Sequence, residues 1–333
     1  MHSTTWAELL EVARWAPSPH NIQPWRIRPL NEGAAELLCA SDRLLPDTDP
    51  PGRFTYVGLG TFVETLAIAA RARGTDVAAE FLHQPLVAGT GALLPVGRLE
   101  LVPFEREEPL EPELILERRT SRIPYDGRAV GPAALDRLQA VAADAGHALT
   151  CSSNPALVEF VLDLNRETLF FDLSDATARR EVGRWLRFTR GQAERTRDGF
   201  LPAALAFPGW LLYAFFHGRA FDVPVLRSIR DALYLRTMRG TTNVAWIQGA
   251  FGEPPAWIGA GRMLARLWLT MTKLGLHLHP FGSIITNADA NRRVRERIPH
   301  DPADGELWLI MRLGYGAQPP RSLRLEVDEL LAR

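Results

Sequence analysis

Apolar residues recur at helical spacing in "TWAELLEVARWA", residues 5 to 16, with Leu9, Val12, Ala13 and Ala16 on one face and Thr4 or Thr5 as the N-cap. The same periodicity predicts a helix over 56 to 74, where Leu59, Phe62, Val63, Leu66 and Ala70 line one side and Gly74 ends the run. A similar helix is predicted over 258 to 275, "IGAGRMLARLWLTMTKLG". After each of these two comes an alternating stretch that reads as a strand, "GRLELVPF" (97 to 104) and "GELWLIMRLGY" (305 to 315). Near the start, an Asn31-Glu32-Gly33 turn joins "PWRIRPL" to "AAELLCASD" as a hairpin.

These patterns repeat along the chain. Gly58, Gly60, Leu66 and Gly74 align with Gly259, Gly261, Leu267 and Gly275 at one offset, 259 − 58 = 201. Earlier segments align at other offsets: "LLEVARWA" with "LQAVAADA" (138 to 145) at about 128, and "LLCASD" (37 to 42) with "LTCSSN" (149 to 154) at 151 − 39 = 112. Changing offsets imply unequal insertions, 128 − 112 = 16 residues in the first half and 201 − 112 = 89 in the second, the latter spanning about 155 to 250. Chance likeness among helices rich in Ala, Leu and Gly is the alternative, and the matched glycines and following strands weigh against it. Two copies of one α+β unit in a chain can pack as a homodimer does, with sites in the seam.

Composition narrows the chemistry. The 333 residues are 46% hydrophobic and 23% charged with a net charge of −1, so no global field draws the protein to nucleic acid or anionic lipid. Cys39 and Cys151 stand in no metal or redox spacing. Lys273 is the only lysine and no phosphate-loop motif surrounds it, which sets aside Schiff-base and P-loop enzymes. No secretory signal is visible, and a cytoplasmic location is expected. The charge-free run "FLPAALAFPGWLLYAFF" (200 to 216) is interrupted by Pro202, Pro208 and Gly209. It reads as a broken helix, buried or forming a lid, with a membrane-surface role as the other reading and no stable membrane insertion.

Two short segments carry candidate chemistry. "LERRTSRIPYDGRAV" (116 to 130) places Arg118, Arg119 and Arg122 around Thr120 and Ser121, just before the helix "GPAALDRLQAVAA". Three guanidiniums within five residues repel one another unless acids or a phosphate neutralise them, and guanidinium binds phosphate bidentately. "APSPHNIQPW" (16 to 25) is a stiff polar bend behind a helix, with prolines that pre-pay ordering entropy. "RRTSR" resembles the phosphate and ribityl motif of nitroreductase-family flavoproteins, and "APSPHNIQPW" is similar to their Pro-Ser-x-x-Asn-x-Gln-Pro-Trp motif. "AGRMLARLWLTMTKLGLHLHPFGS" resembles their long helix and Gly-rich segment, and "PPRSLRLEVDELL" their basic C-terminal extension. The order differs, because here the Arg motif follows the Pro-Ser motif by some 100 residues, an arrangement similar to the single-chain, Acg-like branch. The likeness covers most of the chain except roughly 165 to 250.

The resemblance implies an α+β, nitroreductase-like fold of two degenerate halves forming a pseudo-dimer, with antiparallel-rich sheets flanked by helices. Residues 1–110 are expected to form the first half and 111–333 the second, with a lid-like region at about 165–250. It also implies FMN as cofactor. Arg118, Arg119 and Thr120 are expected at the phosphate and ribityl chain, and Arg122 at the N1/O2 edge. Pro17, Ser18, Asn21 and Gln23 are expected from the other half, Phe281, Gly282 and Ser283 near N5, and Arg324 or Arg321 completing the phosphate clamp. The implied reaction passes a hydride through flavin N5 from NAD(P)H to a nitroaromatic, quinone or conjugated natural product, with no side chain named as catalytic. A flavin-dependent dehydrogenase or oxidase using O2, and a non-enzymatic FMN storage protein, are the alternatives. Phe200, Trp210, Tyr213 and Phe216 are candidates to line or cover the pocket, or only to pack. A small-molecule substrate and a monomeric pseudo-dimer are expected, with a higher oligomer left open and no nucleic-acid partner.

Other motifs carry less. His277 and His279 read as a helix-terminal cation or packed neutral histidines, so no metal site is expected. "GLGTFV" (58 to 63) falls short of a dinucleotide fingerprint. "REVGRWLRFTRGQAERTRDG" (180 to 199) reads as a charged helix, with Glu181 and Trp185 similar to the Acg-like branch.

Overall fold

The structure is a computed structural model that describes residues 4–82, 84–217 and 223–333. Its first unit contains α1 (Thr4–Ala13), β1 (Trp25–Pro29), β2 (Ala34–Ala40), α2 (Arg53–Arg71), β3 (Thr75–Phe81) and β4 (Leu93–Pro103). A short α3 (Pro112–Glu117) leads to α4 (Pro132–Ala143) and β5 (Ala148–Ser152). A helical excursion follows: α5 (Pro155–Asp172), α6 (Ala176–Arg184), α7 (Arg190–Thr196), α8 (Pro202–Leu205), α9 (Gly209–His217) and α10 (Pro224–Thr237). The chain then closes with β6 (Asn243–Gly249), α11 (Pro254–Lys273), β7 (His277–Pro280), α12 (Gly282–Thr286), α13 (Ala288–Arg295), β8 (Glu306–Gly314) and α14 (Val327–Leu330).

The strands form two four-stranded antiparallel sheets with one topology, β1-β2-β4-β3 and β5-β6-β8-β7. Each sheet even shifts register at the same place, between Leu37 and Leu38 in β2 and between Ile247 and Gln248 in β6. The topology makes β5 the counterpart of β1 and β6 that of β2, which corrects the pairing of "LLCASD" with "LTCSSN". Both segments are short apolar strands with one cysteine, and local likeness does not distinguish an edge strand from a central one. The four-residue turn 30–33 of the first sheet thus corresponds to residues 153–242 in the second, 242 − 153 + 1 = 90 residues. The excursion ends at 242 rather than 250, because 243–249 is the fully buried strand β6.

Within the excursion, the predicted helix 180–199 is two short helices, α6 and α7, divided near Trp185, after which Leu186 bridges to Phe200. The Thr189 side chain caps α7 by accepting from the Gln192 amide, and Arg197, at φ 53°, ends it. The apolar run 200–216 breaks as expected, into α8 and α9 around Pro208. Residues 218–222, inside the expected lid region, lie outside the described residues. Among the described residues, no helix is long and apolar enough to cross a membrane.

Helices α2 and α11 lie against each other between the two units. Every residue of α2 from Thr55 to Ala70 is buried, Thr55, Thr61, Glu64 and Thr65 included, so the helix is enclosed on all faces rather than along one stripe. Glycines set the approach: a Cβ on Gly60 would sit 2.1 Å from the Ile258 carbonyl oxygen, and one on Gly261 2.1 Å from that of Val57. The two contacts exchange under the repeat offset, since 258 − 57 = 201 and 261 − 60 = 201. Beside them the buried Glu64 carboxylate accepts from Arg71 (3.0 Å), Arg262 (2.9 Å) and Arg266 (2.9 Å), tying the helices together. The C-terminal segment returns to the first sheet, where Leu331 bridges Ile27 and the Ala332 amide donates to the Ile27 carbonyl at 2.7 Å.

Candidate functional site

The loop 16–25 folds where α1 ends, against α2. Thr61 Oγ1 donates to the Pro17 carbonyl at 2.6 Å, and the Gln23 amide donates to Ser18 Oγ at 3.0 Å. His20, Asn21 and Gln23 all have positive φ (47°, 57° and 48°), a strained run for three non-glycine residues. Side-chain bonds hold it there. Asn21 Nδ2 donates to the carbonyls of Gly199 and Leu323, each at 3.1 Å. Gln23 Nε2 donates to Arg197 O at 3.1 Å, and its Oε1 accepts from the Leu325 amide at 2.8 Å. These two residues therefore grip the excursion and the C-terminal segment instead of lining the cavity described below, while Asn21 Oδ1 is left buried without a partner.

The Arg motif is placed by the second sheet. Thr120 bridges Leu278, the Ser121 amide donates to the Leu278 carbonyl (2.9 Å), and buried Arg312 of β8 donates to the carbonyls of Ser121 (3.2 Å) and Ile123 (2.9 Å). Arg118 turns the other way, stacking over Trp268 at 4.6 Å and donating to the Trp15 carbonyl at 3.1 Å. Arg321 (3.2 Å) and Arg324 (5.6 Å) stack on the Trp15 ring. Arg119 folds back onto the carbonyls of Leu116 and Glu117.

Three predicted arginines, Arg118, Arg321 and Arg324, thus gather from opposite ends of the second half around a tryptophan of the first, with Arg119 near enough to repel them. Among the described residues, none of them has a carboxylate within 4.0 Å, and Arg118 Nη1 and Arg324 Nε are buried without partners. Burial, then repulsion from Arg324 and its neighbours, lowers the Arg118 pKa well below its ordinary value. Burial and Arg321 bring Arg324 down to about 9. Uncompensated buried charge is costly, and an anion with several acceptor oxygens relieves it.

A cavity of about 1000 Å³ opens beside this cluster, with Trp268 in its wall. Pro17 and Ser18 of the first unit, Thr120 and Arg122 of the Arg motif, and Phe281, Gly282 and Ser283 at the start of α12 all line it. Arg122 lies over the Phe200 ring at 4.9 Å, and Phe200 also meets the His20 ring at 5.3 Å. Burial pulls the Arg122 pKa to about 10, which leaves it cationic at neutral pH. His20 and His279 also line the cavity, each with a buried unpartnered Nδ1. Burial and the Arg122 charge lower the His20 pKa to about 4, while burial, Arg312 and Arg122 place that of His279 well below 6.5. Both are neutral hydrogen-bonding groups at pH 7.

No family model matches the chain. It is 24% identical over 84% of its length, and 80% of the relative's, to a Serratia protein named as the NAD(P)H nitroreductase PigM. Over most of its length the chain is similar to a protein named as a nitroreductase. A Mycobacterium tuberculosis protein named as the NAD(P)H nitroreductase acg is 31% identical over 35% of this chain and 34% of its own. Among solved structures, the FMN-dependent nitroreductase NfnB from Mycobacterium smegmatis, in complex with NADPH, is 19% identical with a TM-score of 0.39, covering 66% of this chain and 96% of that one.

Two of the four aromatic residues considered for the pocket, Trp210 and Tyr213, are not in the cavity lining. Trp210 is 72% exposed and Tyr213 is 54% exposed, the latter stacked on His217 at 4.3 Å. On α9 they occupy the outward face, while Leu212, Phe215 and Phe216 turn into the cavity together with Phe200. A helix that is apolar all round gives no stripe from which to choose the inner face. The sequence reading also missed Trp15, Trp268, His20, Tyr234 and Arg312. For Trp15 the signal was present, an aromatic directly ahead of the Pro-rich bend.

Proposed function

We propose that the chain binds FMN and acts as an oxidoreductase, moving an electron pair from NAD(P)H to a small organic acceptor. The single observation that carries this reading is that Arg118, Arg321 and Arg324 meet at Trp15 with no carboxylate of their own within 4.0 Å, next to a cavity lined by the Pro-Ser bend of one unit and the Arg motif of the other. Arg118, Arg321 and Arg324 would hold the phosphate, where the unpartnered nitrogens of Arg118 and Arg324 would find acceptors. Arg122 supplies a fixed cation inside the cavity, where developing negative charge is stabilised most effectively. Thr120 adds a hydroxyl, and Pro17 and Ser18 present a preformed wall from the opposite side. When bound, FMN supplies the hydride relay between donor and acceptor. The names of the nitroreductase relatives support the same class. We read the two units as a pseudo-dimer, so that one chain builds the composite site by itself.

A second reading, FMN storage, is favoured by the way the excursion is fastened across the first unit. The buried Glu181 carboxylate accepts from the amides of Asp47 (3.0 Å) and Thr48 (2.8 Å), and Asp198 pairs with Arg43 at 3.0 Å. Purified protein should be yellow or take up FMN on reconstitution, and should oxidise NAD(P)H with a quinone present. Tight flavin with no turnover by any donor selects storage. Colourless protein that cannot be reconstituted overturns both readings.

A further inference from the structure

Arg122 lines the cavity, yet its side chain has little to hold it there. Among the described residues its guanidinium meets the Phe200 ring at 4.9 Å and makes no hydrogen bond or ion pair. Its direction is therefore set by the peptide that carries it, and one residue pins that peptide. Arg312 Nη2 donates to the carbonyls of Ser121 (3.2 Å) and Ile123 (2.9 Å), the neighbours of Arg122 on either side. Nη1 of the same guanidinium donates to the Thr237 carbonyl (3.0 Å) and to Thr241 Oγ1 (3.1 Å), at and just beyond the end of α10.

Arg312 is fully buried in β8, the single charged residue between Leu307 and Leu313. Among the described residues no carboxylate lies within 4.0 Å of it, and its Nε is buried without a partner. A buried cation compensated only by neutral acceptors is costly, so stability is a poor account of its presence. Its planar fork gives what Lys and Met cannot: four hydrogen bonds at once, joining the Arg motif to the end of the excursion. Arg312 also stands opposite His279 in the β7–β8 ladder, so its charge lies close to the cavity wall as well. Position and charge are separate routes of action, and Lys separates them by keeping the second without the first.

We propose that Arg312 is a positioning residue for Arg122. It fixes the 121–123 peptide so that the Arg122 guanidinium is held in the cavity, where it favours the reduced, more negative flavin; this rests on the flavin reading above. Two readouts test it, neither of them turnover. With FMN bound, the two-electron reduction constant of the flavin is measured against a reference dye. Arg122→Met should lower it about 10-fold, near 30 mV for a two-electron couple. Arg312→Lys should lower it about 5-fold or more, and the double variant should match Arg122→Met within about twofold. Wild-type values in Arg122→Met or in Arg312→Lys, or losses that multiply in the double variant, overturn the proposal. The second readout needs no flavin. In arginine-labelled protein the Phe200 ring should shift the Arg122 side-chain resonances upfield, a displacement that Phe200→Leu removes and that Arg312→Lys should largely remove. Unchanged Arg122 resonances in Arg312→Lys overturn the positioning whatever the protein binds. Colourless protein that loses the displacement in Arg312→Lys supports the positioning and overturns only the flavin reading. If Arg312→Lys does not fold, Thr241→Val, which deletes one of the four acceptors, should lower the reduction constant about threefold and move the Arg122 resonances the same way. No change in either then overturns the proposal.

Discussion

The two sheets share a strand order and a register shift, yet one closes its first hairpin in four residues and the other takes ninety. The likeness serves the scaffold and the difference serves the site. Where the halves match, at α2 and α11, glycines bring two backbones together by reciprocal contacts. Where they differ, the excursion supplies Phe200, Tyr234 and the apolar wall, while the first unit alone supplies the Pro-Ser bend. A symmetric pair would carry two equivalent clefts; here the asymmetric parts build one cavity from residues some 100 to 260 positions apart.

The comparison can be broken most severely at the matched contact. Gly60→Val and Gly261→Val each drive a side chain into a carbonyl 2.1 Å away, with backbone rather than a flexible side chain in the way. Each should cost roughly 4 kcal/mol or more, read as loss of soluble folded protein or a large fall in urea midpoint. Next is Glu64→Ala, which leaves Arg262 without a carboxylate while Arg71 and Arg266 keep Glu108; the change should cost about 3 kcal/mol, again read by urea unfolding.

The bend is probed by acid. His20 has a folded pKa near 4 against 6.5 when unfolded, so the unfolded chain takes the proton first. Its stability contribution is intact above pH 6.5 and is lost as pH falls toward 4, by about 3 kcal/mol across that window. His279 acts in the same direction. His20→Gln should flatten the fall in melting temperature between those pH values. The smallest effect is at Gly259, the repeat partner of Gly58, where a Cβ meets nothing within 4 Å. Gly259→Ala should be neutral or stabilise by up to about 1 kcal/mol, in contrast to Gly261 two residues on, by thermal melting.

Long periodic elements were legible in the sequence. The seam helices, the first hairpin and the strands after each helix were expected, with ends displaced by a few residues. The glycine alignment was legible because a close helix approach leaves few other choices at Gly60 and Gly261. Two later strands were not: β6, as long as β2, and the four-residue β7 lie next to helical sequence and are defined by partners far along the chain. For the site, residue identity told more than geometry. Arg118, Arg321 and Arg324 do gather, but around Trp15, and Asn21 and Gln23 turn to neighbouring backbone, because their partners at 197–199 and 323–325 are invisible to local pattern. On α9 the apolar residues encircle the helix, and only packing separates exposed Trp210 from buried Phe215.

The guanidiniums of Arg118, Arg321 and Arg324 at Trp15 are proposed to neutralise a phosphate. Titration of the purified apoprotein with FMN and with riboflavin, followed by flavin fluorescence, tests it directly because the two ligands differ only in that group. FMN should bind at least about 100-fold tighter than riboflavin, with the gap closing in Arg118→Ala and Arg324→Ala as riboflavin affinity stays put. Equal affinity for the two flavins in the wild type, or a gap that survives both substitutions, would contradict it.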